Sequence, residues 1–402
     1  MESFEKYKKE IKSKGFATRA IRWQLPRTEH QEHSVPLYLT SSFVFEDAEE
    51  ARALFADEKQ GSIYSRFSNP SVDEFIQKMC LLEEAEDGVA FASGMAAVFG
   101  SIIPFLAAGD HVLACRAIFG STHQILTRIL PRWNISHTYL DARARPEEWE
   151  VARRPETRLI VVETPSNPGL DILDLEWLGR FAREHGILLI VDNCFATPYL
   201  QQPLRFGAHL SLHSATKFID GQGRAVGGIT VGDRELMKEV RFFARHTGPA
   251  LSPFHAWLFS KSLETLALRM ERHSQSALAL ARFLETQSAV EKVIYPFLDS
   301  HPDAGLAKKQ MKMGGGMVSF VLRGGLESGK RFLGAQEMLS HTANLGDTRT
   351  IVTHPASTTH SKLSEEERLA VGILPGLIRV SVGLEDVEDL IEELTRCIAV
   401  AP

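Results

Sequence analysis

From Gly61 onward, short apolar runs alternate with segments whose apolar residues recur at helical spacing. Val89-Ala-Phe-Ala, His111-Val-Leu-Ala-Cys, Arg158-Leu-Ile-Val-Val-Glu, Ile187-Leu-Leu-Ile-Val-Asp192 and His209-Leu-Ser-Leu-His-Ser read as strands. The fourth run is continuously apolar, as a strand covered on both faces must be. Between strands, Leu175, Leu178, Phe181 and Ala182 share one helix face, with Asp174 placed to cap the start and Gly186 to end it. Strand and helix in alternation predict an α/β fold with a mostly parallel central sheet and right-handed crossovers. Before Gly61 the pattern is irregular. Glu5 to Lys14 suits a short basic helix, and the rest reads as an extended arm with little core of its own. After Pro253 a long helical run to about Glu285 leads to a second region with strands at Val318-Ser-Phe-Val-Leu and Leu377-Ile-Arg-Val-Ser-Val. That second region is a smaller α+β C-terminal domain. The expected division is 1–62 for the arm, 63–256 for the large domain and 257–402 for the C-terminal domain.

Composition narrows the class. The 402 residues carry 45 Lys+Arg against 51 Asp+Glu, a net charge of -6, and 44% are hydrophobic. Disorder is excluded by that apolar content, and a mildly acidic chain lacks the basic surface of a nucleic-acid binder. No apolar run approaches the roughly 20 residues that span a bilayer, and the first ten residues have charge but no apolar leader core, so neither a membrane span nor a signal peptide is expected. Cysteines 80, 115, 194 and 397 form no Cys-x-x-Cys pair. They read as free thiols in a reducing cytoplasm, with no metal site.

The chemistry concentrates between Asp192 and Gly228. Asp192 ends a buried strand, where a carboxylate needs a partner, and Ser214-Ala-Thr-Lys217 ends the next. Ligands of open α/β sheets bind beyond the carboxyl ends of the strands, so Asp192 and Lys217 should share one crevice. A Lys for a Schiff base and an Asp against a ring nitrogen are the pair that pyridoxal phosphate requires. Ser93-Gly94-Met95 stands between a strand and a helix, where backbone N–H groups can hold the phosphate. Ser214 and Thr216 offer hydroxyls, and Tyr64 and Arg66 lie in a polar segment suited to phosphate contact. Each signal alone has a bland reading: a strand-end Asp is commonly a turn or cap residue, and Ser-Gly-Met marks any helix start. The ordered set is what carries the assignment.

With these residues in place, the chain resembles the cystathionine γ-synthase family of Cys/Met-metabolism pyridoxal-phosphate enzymes, from about Thr18 to the C-terminus. The motifs are Tyr64-Ser-Arg-Phe-Ser-Asn-Pro70, Ala92-Ser-Gly-Met95, Glu163-Thr-Pro-Ser-Asn-Pro168, Val191-Asp-Asn193, His213-Ser-Ala-Thr-Lys217 and Arg379-Val-Ser-Val-Gly-Leu-Glu385. The resemblance implies the aspartate-aminotransferase-like fold (fold type I) and pyridoxal 5′-phosphate as cofactor. By the same analogy Lys217 is the Schiff-base and proton-shuttling lysine, and Asp192 the ring-nitrogen partner. Ser93, Gly94, Met95, Ser214 and Thr216 hold the phosphate, while Tyr64, assigned a catalytic role with Lys217, and Arg66 reach the phosphate of a neighbouring subunit. Asn167 lies near the ring, and Arg379 clamps the substrate carboxylate with Asn167 and Asn344 beside it. The family is usually a tetramer of active dimers, which implies that the arm serves another chain.

Three positions depart from common family usage. Phe119 stands where many members stack a tyrosine on the cofactor, which keeps the stacking and removes the phenol. Ser121 replaces the cysteine typical of the γ-lyases, and Asn344 replaces a serine. The segments Asp192–Pro198, Phe218–Arg224 and Asn344–Arg349 most resemble members that react O-succinylhomoserine with sulfide to give homocysteine. A γ-elimination lyase acting on methionine or cystathionine is the alternative, followed by members that use O-acetylhomoserine or that make cystathionine. A cofactor-binding protein without catalysis is a third class, disfavoured by the presence of both Lys217 and Asp192.

Other signals carry less. His209 and His213 have the spacing of a helical metal pair, but four residues of strand separate them by roughly 13 Å. His354 and His360 sit in a Pro/Ser/Thr-rich stretch and read as a surface loop. Gly221-Gln-Gly-Arg-Ala-Val-Gly227 is no dinucleotide fingerprint, since its third glycine comes one position late.

Overall fold

The computed structural model describes residues 2–401 apart from 57, 60, 360, 363 and 371. Its large sheet has seven strands: β1 (Asp87–Phe91), β2 (His111–Cys115), β3 (Ser136–Leu140), β4 (Thr157–Glu163), β5 (Leu188–Asp192), β6 (Leu210–Ser214) and β7 (Gly228–Gly232), in the order β1-β7-β6-β5-β4-β2-β3. From β3 through β6 all pairings are parallel, and β7 runs antiparallel to both β6 and β1. Strands β1, β4, β5 and β6 therefore point the same way. Their carboxyl ends share one edge, with Glu163 in register with Asp192 and Asp192 with Leu212. Apolar groups cover both faces. Val112, Val161 and Ile190 pack with the helix Gly94–Ile102, while Leu113, Ile160 and Val191 pack with the helix Leu175–Glu184. Asp174 caps that second helix through the N–H of Trp177 at 2.9 Å, and Gly186 ends it at φ +63°.

A second sheet of five strands follows: β8 (Val290–Ile294), β9 (Met317–Leu322), β10 (Ser340–His341), β11 (Ile351–Thr353) and β12 (Leu377–Ser381), ordered β10-β11-β12-β9-β8. Only β10 and β11 pair in parallel. Its core joins Val318, Phe320 and Ile378 to the helices Leu266–Glu285 and Val387–Ala399.

Three expectations change. The first 23 residues are not a bare arm: the helices Glu2–Lys12 and Phe16–Arg22 lie against the chain's own helix Pro70–Glu83, where Ile11, Trp23 and Leu81 form a small cluster. Beyond Trp23, Leu39, Val44 and Phe55 are exposed, while Val35, Leu54 and Ile63 are buried against the same chain. The helical run after Pro253 is two helices, Pro253–Leu263 and Leu266–Glu285. At the break, Glu264 sets its carboxylate against Lys78, a fully buried ammonium. His354, expected on the surface, is buried because both ring nitrogens are paired, with Ser357 Oγ at 2.8 Å and the Pro375 carbonyl at 2.7 Å. His360 lies outside the described residues. His209 and His213 have separate partners: His209 Nδ1 accepts the Leu189 N–H, and His213 Nε2 pairs with Glu83 at 2.5 Å.

Candidate active site

The chain leaves β6 at Ser214 and turns at once, which sets Lys217 over the shared carboxyl edge. Its Nζ donates to Asn344 Oδ1 at 2.7 Å. Burial lowers the tendency of this amine to hold a proton, and the Arg379 charge adds to the effect. The loop that supplies Asn344 lies directly on the lysine's backbone. Gly346 has φ +76°, and a Cβ there would stand 2.5 Å from Phe218 N and 2.8 Å from Lys217 C. Its N–H is fixed by Ser381 Oγ at 2.8 Å. Gly346→Ala should therefore cost about 2–4 kcal/mol, from the left-handed conformation and the backbone overlap together. A thermal unfolding midpoint within a degree of wild type would contradict this packing.

Asp192 ends β5 and accepts one hydrogen bond, from the Cys194 N–H at 3.0 Å. Burial raises its carboxyl to about 6, against the Cys194 amide and the nearby His213, which favour the ion. No cation pairs with it among the described residues. A half-buried carboxylate with so little compensation suits a protonated ring nitrogen, which would supply the missing donor. Behind it lies a buried polar layer in which Glu83 Oε1 is met by His213 Nε2, by Asn193 Nδ2 at 3.0 Å and by Ser211 Oγ at 3.0 Å.

The strand β1 delivers Ser93 and Gly94 to the same edge. Ser93 caps the helix Gly94–Ile102, its hydroxyl taking the Ala96 N–H at 3.1 Å. A Cβ on Gly94 would fall 2.6 Å from Ser214 Oγ, so only glycine lets this helix start approach the lysine turn so closely. Met95 follows at the first turn, packed on the strand core. Thr216 Oγ1 takes the Gly227 N–H at 3.1 Å and closes the far side. Backbone donors, a helix start and the Ser214 and Thr216 hydroxyls form a cradle of the kind that binds a phosphate.

Arg379, on β12 of the second sheet, is 8% exposed and reaches this edge. Its Nη1 donates to Asn167 Oδ1 at 3.0 Å and its Nη2 to the Asn344 carbonyl at 3.1 Å, while the buried Nε has no partner. Burial brings its pKa down to about 10. Every described partner is neutral, so the guanidinium is left with capacity for a carboxylate.

Lys217, Asn344, Arg379 and Asn167 thus form one hydrogen-bonded chain. Phe119, a residue 42% exposed, borders Asp192 through Glu163, whose Oε2 takes the Phe119 N–H at 2.8 Å. Tyr64 and Arg66 stand apart. Arg66 hydrogen-bonds the Arg245 carbonyl and lies over the Phe67 ring at 4.7 Å, and no described contact joins either residue to Lys217 or Asp192. Sequence reasoning gave Glu163 no role, although it ends a buried apolar strand just as Asp192 does. The same signal would have marked it.

The family model "Cys/Met metabolism PLP-dependent enzyme" matches residues 17–399. An O-succinylhomoserine sulfhydrylase of Pseudomonas aeruginosa is 47% identical over 390 residues, covering 97% of this chain and 96% of that one. An L-methionine γ-lyase of Fusobacterium nucleatum is 42% identical over 390 residues, 96% of this chain and 98% of its own. Among solved structures, a metY structure from Campylobacter jejuni described with N′-pyridoxyl-lysine-5′-monophosphate superposes with TM-score 0.92 at 33% identity, covering 96% of this chain and all of that one.

Proposed function

The chain belongs to the Cys/Met-metabolism PLP-dependent enzyme family, and from that premise we propose that it exchanges the γ-substituent of an O-acylated homoserine, O-succinylhomoserine foremost, for sulfide, giving homocysteine for methionine biosynthesis. Its cofactor is pyridoxal 5′-phosphate. The observation that carries the reading is the chain from Arg379 through Asn344 to Lys217. An amino-acid carboxylate seated on Arg379 places its α-carbon beside the one amine able to take its proton.

Lys217 would bind the cofactor, Asp192 would face its ring nitrogen and Phe119 would stack on the ring. Ser93, Gly94, Met95, Ser214 and Thr216 would hold the phosphate, joined by Tyr64 and Arg66 from a neighbouring subunit. Bound there, the cofactor supplies an electron sink for negative charge formed at the α-carbon. Lys217, freed by the substrate amine, takes the α-proton. Burial supports this by making the amine hold its proton less tightly than a lysine in water. Lys217 would work one proton at a time, giving up the α-proton to the electron sink before taking one from the β-carbon; the γ C–O bond would then break with its electron pair leaving on the acyl carboxylate, sulfide would form the new bond to the γ-carbon, and the amine would return the two protons in reverse order. Asn344 keeps the lysine aimed during these transfers, while Arg379 with Asn167 holds the substrate carboxylate still.

The division at 62 and 256 and a tetramer of active dimers belong to this proposal. The exposed Leu39, Val44 and Phe55 after Trp23 support an arm that lies on a second copy. Four free cysteines suit a cytoplasmic protein, and no helix among the described residues is long and apolar enough to cross a membrane. The test is an assay of purified holoenzyme with sulfide and either O-succinyl- or O-acetylhomoserine, with methionine alone as control. Homocysteine should form fastest from the succinyl donor. Rapid breakdown of methionine without sulfide would assign the γ-elimination reaction instead.

A further inference from the structure

We infer that Glu163 is a positioning residue of this site: from the end of β4, beside Asp192, its carboxyl holds the backbone of Phe119 and so fixes that ring against the cofactor. The inference rests on the reading of the crevice as a pyridoxal-phosphate pocket with Phe119 on the ring.

Phe119 has little else to hold it. The residue is half exposed, and the short helix it precedes, Gly120–Gln124, has no side-chain cap. The Phe119 N–H donates to Glu163 Oε2 at 2.8 Å, a bond across 44 residues of chain. Four residues further along the same segment, Asn167 Oδ1 accepts from Arg379 Nη1 at 3.0 Å. Glu163 is buried and stands in register with Asp192 on adjacent parallel strands. One side chain therefore holds the backbone of the residue proposed to stack on the ring, from a strand position in register with the proposed ring-nitrogen partner. Burial and the neighbouring Asp192 charge push Glu163 well above the usual carboxylate range. A carboxyl that gives up its proton reluctantly keeps an acceptor for the Phe119 amide and lessens repulsion with Asp192.

The test is cofactor binding, followed by titrating apoenzyme with pyridoxal phosphate and reading the visible band and its induced circular dichroism. Glu163→Ala should weaken affinity about tenfold, as loss of a buried hydrogen bond does, and reduce the induced signal. Glu163→Gln, which keeps an acceptor oxygen and the volume, should restore most of both. In a Phe119→Ala background the Glu163→Ala change should cost less than about twofold further, because its effect runs through that ring. An equal penalty in both backgrounds, or unchanged affinity and signal in Glu163→Ala, would overturn the inference. If Glu163→Ala does not fold, Glu163→Gln decides, since a tenfold loss in that variant would equally refute it. Absence of any visible band in the wild type would instead bring down the pocket reading itself.

Discussion

Lys217→Ala will lose the visible absorbance of the lysine-bound cofactor and at least about 10⁴-fold in kcat. The factor follows from removing a group that acts as both attachment point and proton shuttle, where positioned acid–base catalysis alone contributes about 10²–10⁴. The fold should survive. The lysine amine has one described hydrogen-bond partner, Asn344 Oδ1, which can turn to solvent or water when the amine is gone. Gly346, not the lysine side chain, carries the packing of the loop above it. Far-ultraviolet circular dichroism and the unfolding midpoint should therefore stay close to wild type. A variant that kept both the band and the activity would remove the basis of the assignment.

Arg379→Lys should lower kcat/KM for the acylated homoserine by about 10²–10³, most of it through a higher KM. An ammonium cannot reproduce the planar fork, which here spends one donor on Asn167, another on the Asn344 carbonyl and leaves Nε open. The lysine variant keeps the charge, so the loss measures geometry. It also keeps some pairing for the two neutral acceptors, which an alanine would strip. The cofactor band should persist, because Arg379 hydrogen-bonds residues around the lysine and not the phosphate cradle. Steady-state kinetics with saturating sulfide give the split. A kcat/KM within threefold of wild type would show that the substrate carboxylate binds elsewhere.

Elements with local causes were legible in advance. The run to Asp192 is a strand because nothing polar interrupts it before its end, and the helix after Asp174 starts and stops where its cap and glycine stand. The placement of Asp192 and Lys217 at one sheet edge was legible from the strand ends that precede them. Elements decided by distant partners were not. The break after Leu263 lies where Glu264 meets Lys78 from another helix, and His354 is buried because Ser357 and Pro375 meet its two nitrogens. Tyr64 and Arg66 carry a clear motif, yet within one chain they face Phe67 and Arg245.

Periodicity and end residues thus determined which segments are strands, which way the sheet is built and that Asp192 and the turn carrying Lys217 stand at one edge of it, because these depend on burial and on neighbours within a few positions. Only the tertiary structure decided that Asn344 meets Lys217 across 127 residues, that Arg379 keeps a buried donor open and that Glu163 joins Phe119 to Asp192. Those contacts depend on how two sheets and their loops pack. A hydrogen bond of 2.7 Å leaves no trace in a sequence when its partners stand 127 residues apart.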